Sequence, residues 1–309
     1  MSIAGSFQPG LASVEQARRP RVGLLQAGVS LAALAGVVWW ATRQRAPQLS
    51  LDAGAVGELI GALCIYAAAT LLRAERWHRI LHRSDLDRGR AESYRLTLVG
   101  YMGNNTLPAR AGDLMRVVLL RGRRREVLGT VVAERLLDVC ALALLFGVVV
   151  VARGLGLGPL PYVVAALAVL AVLALLFARL RGLARLRTWA QPLAVSIREL
   201  RSAHGAGLLS FSVLLWLLEA AVYLTVGKAV GIELGITGAL YVMALTNLSA
   251  LIPAAPGYVG TYDAAVLLAL RSLGQPALGY LLVLRFVLFV PITVAGFAIF
   301  LGRYTRRPV

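Results

Sequence analysis

Long uninterrupted apolar stretches alternate with short arginine-rich segments along the chain. Six of these stretches are about 20 residues long, the length that an α-helix needs to cross the hydrocarbon core of a bilayer. They lie at 22–42, 54–73, 127–152, 160–179, 207–230 and 277–301. The pattern therefore predicts an all-α polytopic membrane protein with about six transmembrane helices.

Two further apolar segments, 93–120 and 237–271, are each interrupted by proline and glycine. In both segments an asparagine precedes the proline, and a glycine and an acid open the next apolar arm. The arms are about 10 to 16 residues long, and a helix of that length does not comfortably cross a core about 30 Å thick. We therefore predict two re-entrant helical hairpins. The predicted hinge residues are Pro108, Gly112, Pro253, Pro256, Gly257 and Gly260.

The arginines between the spans predict the topology. If the amino terminus is cytoplasmic and each hairpin returns to the side it entered from, the inner segments hold 23 arginines and the outer ones four. Units 54–152 and 207–301 then repeat the same element order in opposite orientation, which predicts an inverted repeat in the cell membrane. The remaining parts are a cytoplasmic segment 1–21, a signal-anchor helix with an outer loop 22–53, a connecting helix with a basic cytoplasmic segment 153–206, and a cytoplasmic tail 302–309.

Two stretches, 73–90 and 181–201, are basic and amphipathic but not apolar enough to span. Such segments lie along a membrane surface, with their arginines on anionic lipid. We expect both to lie along the inner leaflet.

The net charge of +17 would suggest nucleic acid as the partner of a soluble protein. Here the basic residues flank apolar spans, so we expect membrane lipids and no nucleic acid as partners. Both cysteines, Cys64 and Cys140, fall in predicted spans, which gives neither a disulfide framework nor a cysteine metal site. We therefore expect no metal, cofactor or catalytic residue; a homo-oligomer is compatible with the pattern.

Three charged residues, Glu134, Arg135 and Asp138, lie inside one predicted span, and Arg285 lies at a corresponding depth in another. A central arginine costs at least about 2.5–3.5 kcal/mol to insert, so it usually faces protein, water or an anion. Either the two acids neutralise Arg135 within the bundle, or the arginines bind an anionic headgroup. The sequence leaves both alternatives open.

The hairpins add polar groups that suit a phosphate, because a helix that starts at a break presents free N–H groups and its positive dipole end. Including the two arginines in the spans, the predicted substrate-binding residues are Asn104, Asn105, Arg110, Arg116, Arg135, Asn247 and Arg285. The acids are assigned to helix capping, arginine pairing or proton coupling. They are Asp113, Glu134, Asp138, Glu219 and Asp263.

The segment from Asn105 to Asp113, followed by Arg116, Glu134-Arg135 and then 253–263, resembles the lysylphosphatidylglycerol synthase transmembrane, or flippase-like, family. The resemblance covers roughly residues 20–305 and implies transfer of a lipid between leaflets. The family favours glutamate where this chain has Asp113 and Asp263. We expect the transport part of that function only, because the sequence holds no stretch for the family's soluble synthase domain.

Three functions remain open at this point. The first is a translocase for an anionic phospholipid or a polyprenyl-phosphate-linked lipid, working by alternating access. The second is a secondary transporter for a small solute or ion. The third is a membrane transferase or hydrolase for lipid phosphates, in which Asp113, Glu134 or Asp138 would act as acid, base or metal ligand.

Overall fold

The computed structural model describes residues 52–86, 88–120, 123–154, 203–250, 256–276 and 278–304. Within these ranges every regular element is helical and no strand occurs. The α-helices are α1 Ala53–Arg83, α2 Arg90–Thr106, α3 Ala111–Leu119, α4 Arg124–Ala152, α5 Ala203–Ala229, α6 Gly235–Ser249, α7 Thr261–Ser272 and α8 Leu278–Ile299. Two 3-10 turns, Pro108–Arg110 and Pro256–Tyr258, join α2 to α3 and precede α7, and a π-helical turn, Phe300–Tyr304, continues α8.

Four of the described helices are long and apolar enough to cross a membrane. They are Ala53–Arg83, Arg124–Ala152, Gly205–Ala229 and Leu278–Tyr304, which coincide with four of the six predicted spans. Large apolar side chains such as Val148, Val151 and Phe286 are exposed on them, as is usual where a helix faces lipid. The predicted spans 22–42 and 160–179 lie outside the described residues. The prediction of an all-α membrane protein is therefore confirmed for the described part of the chain.

The prediction that residues 73–90 lie along the membrane surface is wrong for most of that segment. Helix α1 continues without a break to Arg83, and Arg73, Arg76 and Trp77 on its last turns are buried. Spacing within this segment indicates an amphipathic face, but the arginines on it meet carboxylates on other helices rather than lipid headgroups. The second predicted surface segment, 181–201, lies outside the described residues.

The first interrupted segment forms two helices packed against each other, α2 and α3. Leu107 between them is extended, because the ring of the following Pro108 excludes the helical conformation for the preceding residue. Arg110 then takes a left-handed conformation, with φ 55°, and α3 starts in a new direction. The break therefore comes from one proline and one left-handed residue.

The second interrupted segment has the same form. Helices α6 and α7 pack against each other, and the 3-10 turn before α7 begins at Pro256. Gly257 and Gly260 have φ values of 63° and 93°, which glycine adopts without a steric cost, and Tyr258 is left-handed with φ 56°. Pro253, the other predicted hinge in this segment, lies outside the described residues.

Each interrupted segment packs against a helix from the other half of the described chain. Helix α2 packs on α8, and helix α6 packs on α4, while α1 and α5 pack along each other. The largest apolar core lies among α1, α4, α5, α6, α7 and α8, with Tyr223, Tyr280 and Phe146 among its fully buried members. The two 3-10 turns also contact each other.

Gly112 is not a hinge, contrary to the prediction. It is the second residue of α3, and a Cβ on it would collide with the carbonyl oxygen of Gly100 and the backbone nitrogen of Asn104. A Cβ on Gly103 of α2 would lie 2.6 Å from the Cα of Gly112. The backbones of α2 and α3 are therefore in direct contact, which only glycine permits at these positions.

We expect Gly112→Ala to lower the free energy of unfolding by about 1–3 kcal/mol, because backbone atoms cannot yield as a side chain would. Gly147→Ala on α4 is the matched control, since a Cβ there meets no atom within 4 Å. Detergent-induced unfolding in mixed micelles measures both. Equal stability of the two variants would contradict the close packing described.

Candidate functional site

A closed ring of six alternating arginines and carboxylates joins three helices. In order its members are Arg76, Glu134, Arg116, Asp113, Arg135 and Asp138, and we call it the charge ring. Going round it, the N···O distances between neighbours are 3.2, 3.0, 3.0, 2.8, 3.3 and 2.7 Å. Three positive and three negative charges cancel, so the charge ring is neutral as a whole.

Side chains outside the charge ring also contact its members. Arg76 comes from α1 and also donates to Ser212 of α5 at 2.6 Å. The guanidinium of Arg116 lies 4.7 Å from the centroid of the Trp77 indole, which favours a cation over its face. Asn104 of α2 donates to Asp113 Oδ1 at 3.1 Å and accepts from its backbone N–H at 3.2 Å. Burial of these charges is thus matched by partners for each of them.

A separate ion pair joins the two long helices α1 and α5. Arg73 donates to Glu219, and both side chains are almost fully buried. The Arg73 guanidinium also lies 5.2 Å from the ring centroid of Trp216. Glu219, one of the acids assigned to capping, arginine pairing or proton coupling, is therefore paired with an arginine 146 residues away in the chain.

An ion pair joins α7, in the second interrupted segment, to the span α8. Arg285 Nε donates to Asp263 Oδ1 at 2.7 Å, and Nη1 donates to the carbonyl oxygen of Gly257 at 2.7 Å. Asp263 Oδ2 accepts from the backbone N–H of Gly260 at the start of α7. The predicted span of Arg285 holds no acid of its own, and the acid that neutralises this arginine comes from α7 instead.

A cavity of about 100 Å³ lies between the two interrupted segments and the spans. Both segments contribute to its lining, as do α1, α4, α5 and α8. Five of the predicted substrate-binding residues line it: Asn104, Asn105, Arg110, Arg135 and Asn247. The geometry therefore brings together residues that are up to 143 positions apart in the sequence.

Arg116 and Arg285, which the sequence also assigned to substrate binding, do not line this cavity. Arg116 is buried among members of the charge ring. Arg285 lies between the rings of Tyr262 and Phe289, at 5.0 and 4.7 Å from their centroids. Both arginines hold helices together in the described structure, and neither faces the space that a substrate would occupy.

Three of the amides contact scaffold groups around the cavity. Asn105 donates to Thr293 of α8 at 2.8 Å, which ties α2 to the last span. Asn247 donates to the Tyr223 hydroxyl at 3.2 Å and to the Met243 carbonyl oxygen at 2.9 Å. Together with Asn104 they keep both interrupted segments against their neighbours.

Arg110 differs from the other arginines of the cavity. It donates to the Ala250 carbonyl oxygen at 2.9 Å, and its guanidinium lies 5.3 Å from the ring centroid of Tyr258. Among the described residues it has no carboxylate partner, and its buried Nε has no hydrogen-bond partner. The described lining residues include three arginines and two acids, Asp138 and Glu219, so together they carry a net charge of +1.

Sequence reasoning missed several residues of the site. Arg73 and Arg76 were assigned to the membrane surface, and the aromatic lining residues Tyr66, Tyr101, Trp216, Tyr258 and Tyr262 were not identified. The indole Nε1 of Trp216 is buried without a partner, like Nε of Arg110. Both arginines could have been found by asking which partners Glu219 and Asp138 have, because buried acids require them.

We found no group of three or more His, Cys, Asp or Glu side chains in the described residues that could hold a metal ion. The carboxylates of the charge ring all accept from arginine. What the site offers a ligand is a single unpaired guanidinium, two unpartnered N–H donors and aromatic faces.

Removing one member of the charge ring leaves buried charges without a partner. We expect Glu134→Gln to lower the free energy of unfolding by about 3–5 kcal/mol. Glu126→Gln on the same helix is the control, because its pair with Arg123 is largely exposed and such pairs contribute under about 1 kcal/mol. Unfolding in mixed micelles measures both, and a similar small loss in each would contradict a stabilising role of the charge ring.

Comparison with known proteins gives one match. No curated protein and no solved structure is significantly similar to this chain. A family model described as the lysylphosphatidylglycerol synthase transmembrane region matches residues 25–296, which include every described helix except the end of the last one. The chain therefore belongs to the lysylphosphatidylglycerol synthase transmembrane region family.

Proposed function

We propose that this protein moves a lipid with a phosphate-bearing, anionic headgroup between the two leaflets of the cell membrane, without covalent chemistry. The observation that carries the proposal is the cavity between the two 3-10 turns, in which Arg110 presents a positive charge that no described carboxylate neutralises. Membership of a family of membrane regions associated with flippase-like function supports it.

The size of the cavity favours a small polar group over a whole lipid. Sites for drug-sized ligands measure about 300–1,000 Å³, whereas this cavity measures about 100 Å³. A compact anion suits that space, while acyl chains do not. The headgroup would therefore enter the cavity while the tails stay in the bilayer.

The N–H donors at the cavity wall suit a phosphate group. Arginine binds phosphate oxygens through charge-assisted hydrogen bonds, and Nε of Arg110 is an unused donor. Trp216, which lines the same cavity, supplies a second unused donor. A guanidinium that is already paired, such as that of Arg135, adds little net charge, so selection for an anion depends on Arg110.

Paired features in the two halves support an inverted repeat of 54–152 and 207–301, including two re-entrant hairpins. Asp113 pairs with Arg135 and Asp263 pairs with Arg285, in both cases 22 residues apart in sequence and through Nε of the arginine. Both 3-10 turns begin with proline and end at a left-handed residue, with φ 55° at Arg110 and 56° at Tyr258.

The helix contacts support the same relation. An exchange of the halves maps the contact of α2 with α8 onto the contact of α6 with α4, and maps the contact of α1 with α5 onto itself. Arg110 and Tyr258 would then be equivalent positions that touch each other at the centre. Inverted repeats of this kind allow alternating access by rocking of one repeat against the other around a central site.

Arg110→Gln tests the proposal directly. We expect it to slow exchange of labelled phosphatidylglycerol between leaflets of vesicles containing the purified protein by about tenfold or more, because a charge-assisted hydrogen bond is lost. The unfolding midpoint should stay near that of the wild type, since Arg110 has no ion pair to lose. Arg271→Gln, an exposed arginine of α7, is the matched control.

Either of two results would overturn the proposal. One is normal exchange by a folded Arg110→Gln protein. The other is absence of exchange for every anionic lipid tested, polyprenyl-phosphate lipids included, together with uptake of a soluble solute into the same vesicles. The second result would favour the solute-transporter alternative.

Tyr258 positions the guanidinium of Arg110 through its ring rather than its hydroxyl. We expect Tyr258→Phe to keep the wild-type exchange rate, and Tyr258→Leu to lower it several-fold, because a cation over an aromatic face contributes about 0.5–2 kcal/mol. The same vesicle assay compares the two variants. Equal rates in both would show that the aromatic ring has no part in holding Arg110.

A further inference from the structure

A second polar cavity lies at the end of the bundle where α1 ends and α2 and α4 begin. This groove is open and measures about 660 Å³. Its described lining includes four arginines and one acid, Glu92, together with apolar residues at the end of α3. The arginines are Arg88, Arg95, Arg124 and Arg303. We call it the basal groove; none of its described lining residues lines the central cavity.

Glu92, the one carboxylate among the described residues that line the basal groove, is already occupied. Glu92 Oε1 accepts from the Tyr304 hydroxyl at 2.7 Å, and Oε2 lies 3.2 Å from Arg303 and 3.7 Å from Arg95. Arg124 has no ion pair among the described residues, and Nε of Arg303 is buried without a hydrogen-bond partner. The groove therefore carries an excess of positive charge.

The start of α4 increases that excess. Helix N-termini carry a partial positive charge, and α4 starts with Arg124 and Arg125, while Glu126 in its first turn pairs with Arg123. Arg124, which lines the groove and has no ion pair among the described residues, therefore adds its charge to that of the helix start. The position suits a phosphate, which would accept from arginine side chains at the helix start.

Apolar surface adjoins the charged part of the groove. Val118 lines it and is 52% exposed, and Leu114, one turn earlier on α3, is 56% exposed. An anion with a hydrocarbon chain would contact both parts at once, with its phosphate at the arginines and its chain along α3. Inorganic phosphate offers the first contact only.

We propose that the basal groove is a second anion site, which binds the phosphate group of an anionic phospholipid that is held rather than transported. The ligand would contact α2, α3 and α4 of the first half together with the end of α8, so it would join the two halves at their base. This site is independent of the central cavity, and its ligand would stabilise the assembled bundle.

Thermal unfolding of the detergent-purified full chain tests this site with defined probes. Phosphatidylglycerol should raise the unfolding midpoint in a saturable way, and phosphatidylcholine should do so much less. Arg124→Gln and Arg303→Gln should each weaken the apparent affinity for phosphatidylglycerol by about tenfold. Arg124→Gln is the safer variant for folding, because it removes no described ion pair.

Controls separate this site from the central one and separate the two sources of phosphate. Arg110→Gln should keep the part of the response to phosphatidylglycerol that Arg124→Gln loses, even where it abolishes lipid exchange. An equal rise with inorganic phosphate or glycerol phosphate would keep the anion site but overturn the lipid as its ligand. A response that is unchanged in both groove variants, or equal for the two lipids, would overturn the site.

Discussion

The neutral charge ring is the constraint on which the first half depends. Six ionised groups lie where water has little access. Removal of any one side chain would therefore leave its neighbours as buried charges that lack a partner. Two of its members belong to α3, a helix of nine residues that would be marginal on its own. Ion pairs to α4 and a glycine-to-glycine contact with α2 together fix the position of this short helix. Arg135 and Asp138 then form part of the cavity wall with their charges already balanced.

The second half also pairs its buried arginine with an acid, but with fewer charges than the charge ring contains. Asp263 and Arg285 repeat the pair formed by Asp113 and Arg135, but two aromatic rings and a carbonyl oxygen take the place of the remaining ring members. One residue before Arg285 and three residues after it, where α4 has Glu134 and Asp138 relative to Arg135, α8 has Leu284 and Leu288, both buried. Ion pairs between buried charges in the first half and apolar packing in the second half thus support similar arrangements of helices.

Much of the fold was predictable from the sequence because it depends on local properties. Span length and apolar content predicted the four described spans, and proline with glycine predicted both breaks. The contacts of Arg73 and Arg76 were not predictable from local spacing, since their partners lie 58 to 146 residues away and an arginine-rich helix face resembles a surface-lying segment. Gly112 was misassigned for a related reason, because a glycine near a break suggests a turn, whereas its role depends on the backbone it touches. At the site, five predicted residues line the cavity, while the aromatic residues of the lining carry no sequence signal that separates them from ordinary core.

Arg110 stands apart from the residues that hold the bundle together. It has one carbonyl partner and one aromatic neighbour, and it occupies a left-handed position in a turn rather than a helix. On the proposed function, stability and selectivity would thus be assigned to different side chains. Substitutions at this one position would then change which headgroup charge is accepted while the folded bundle persists, so substrate preference could diverge among related proteins without a matching change in their architecture.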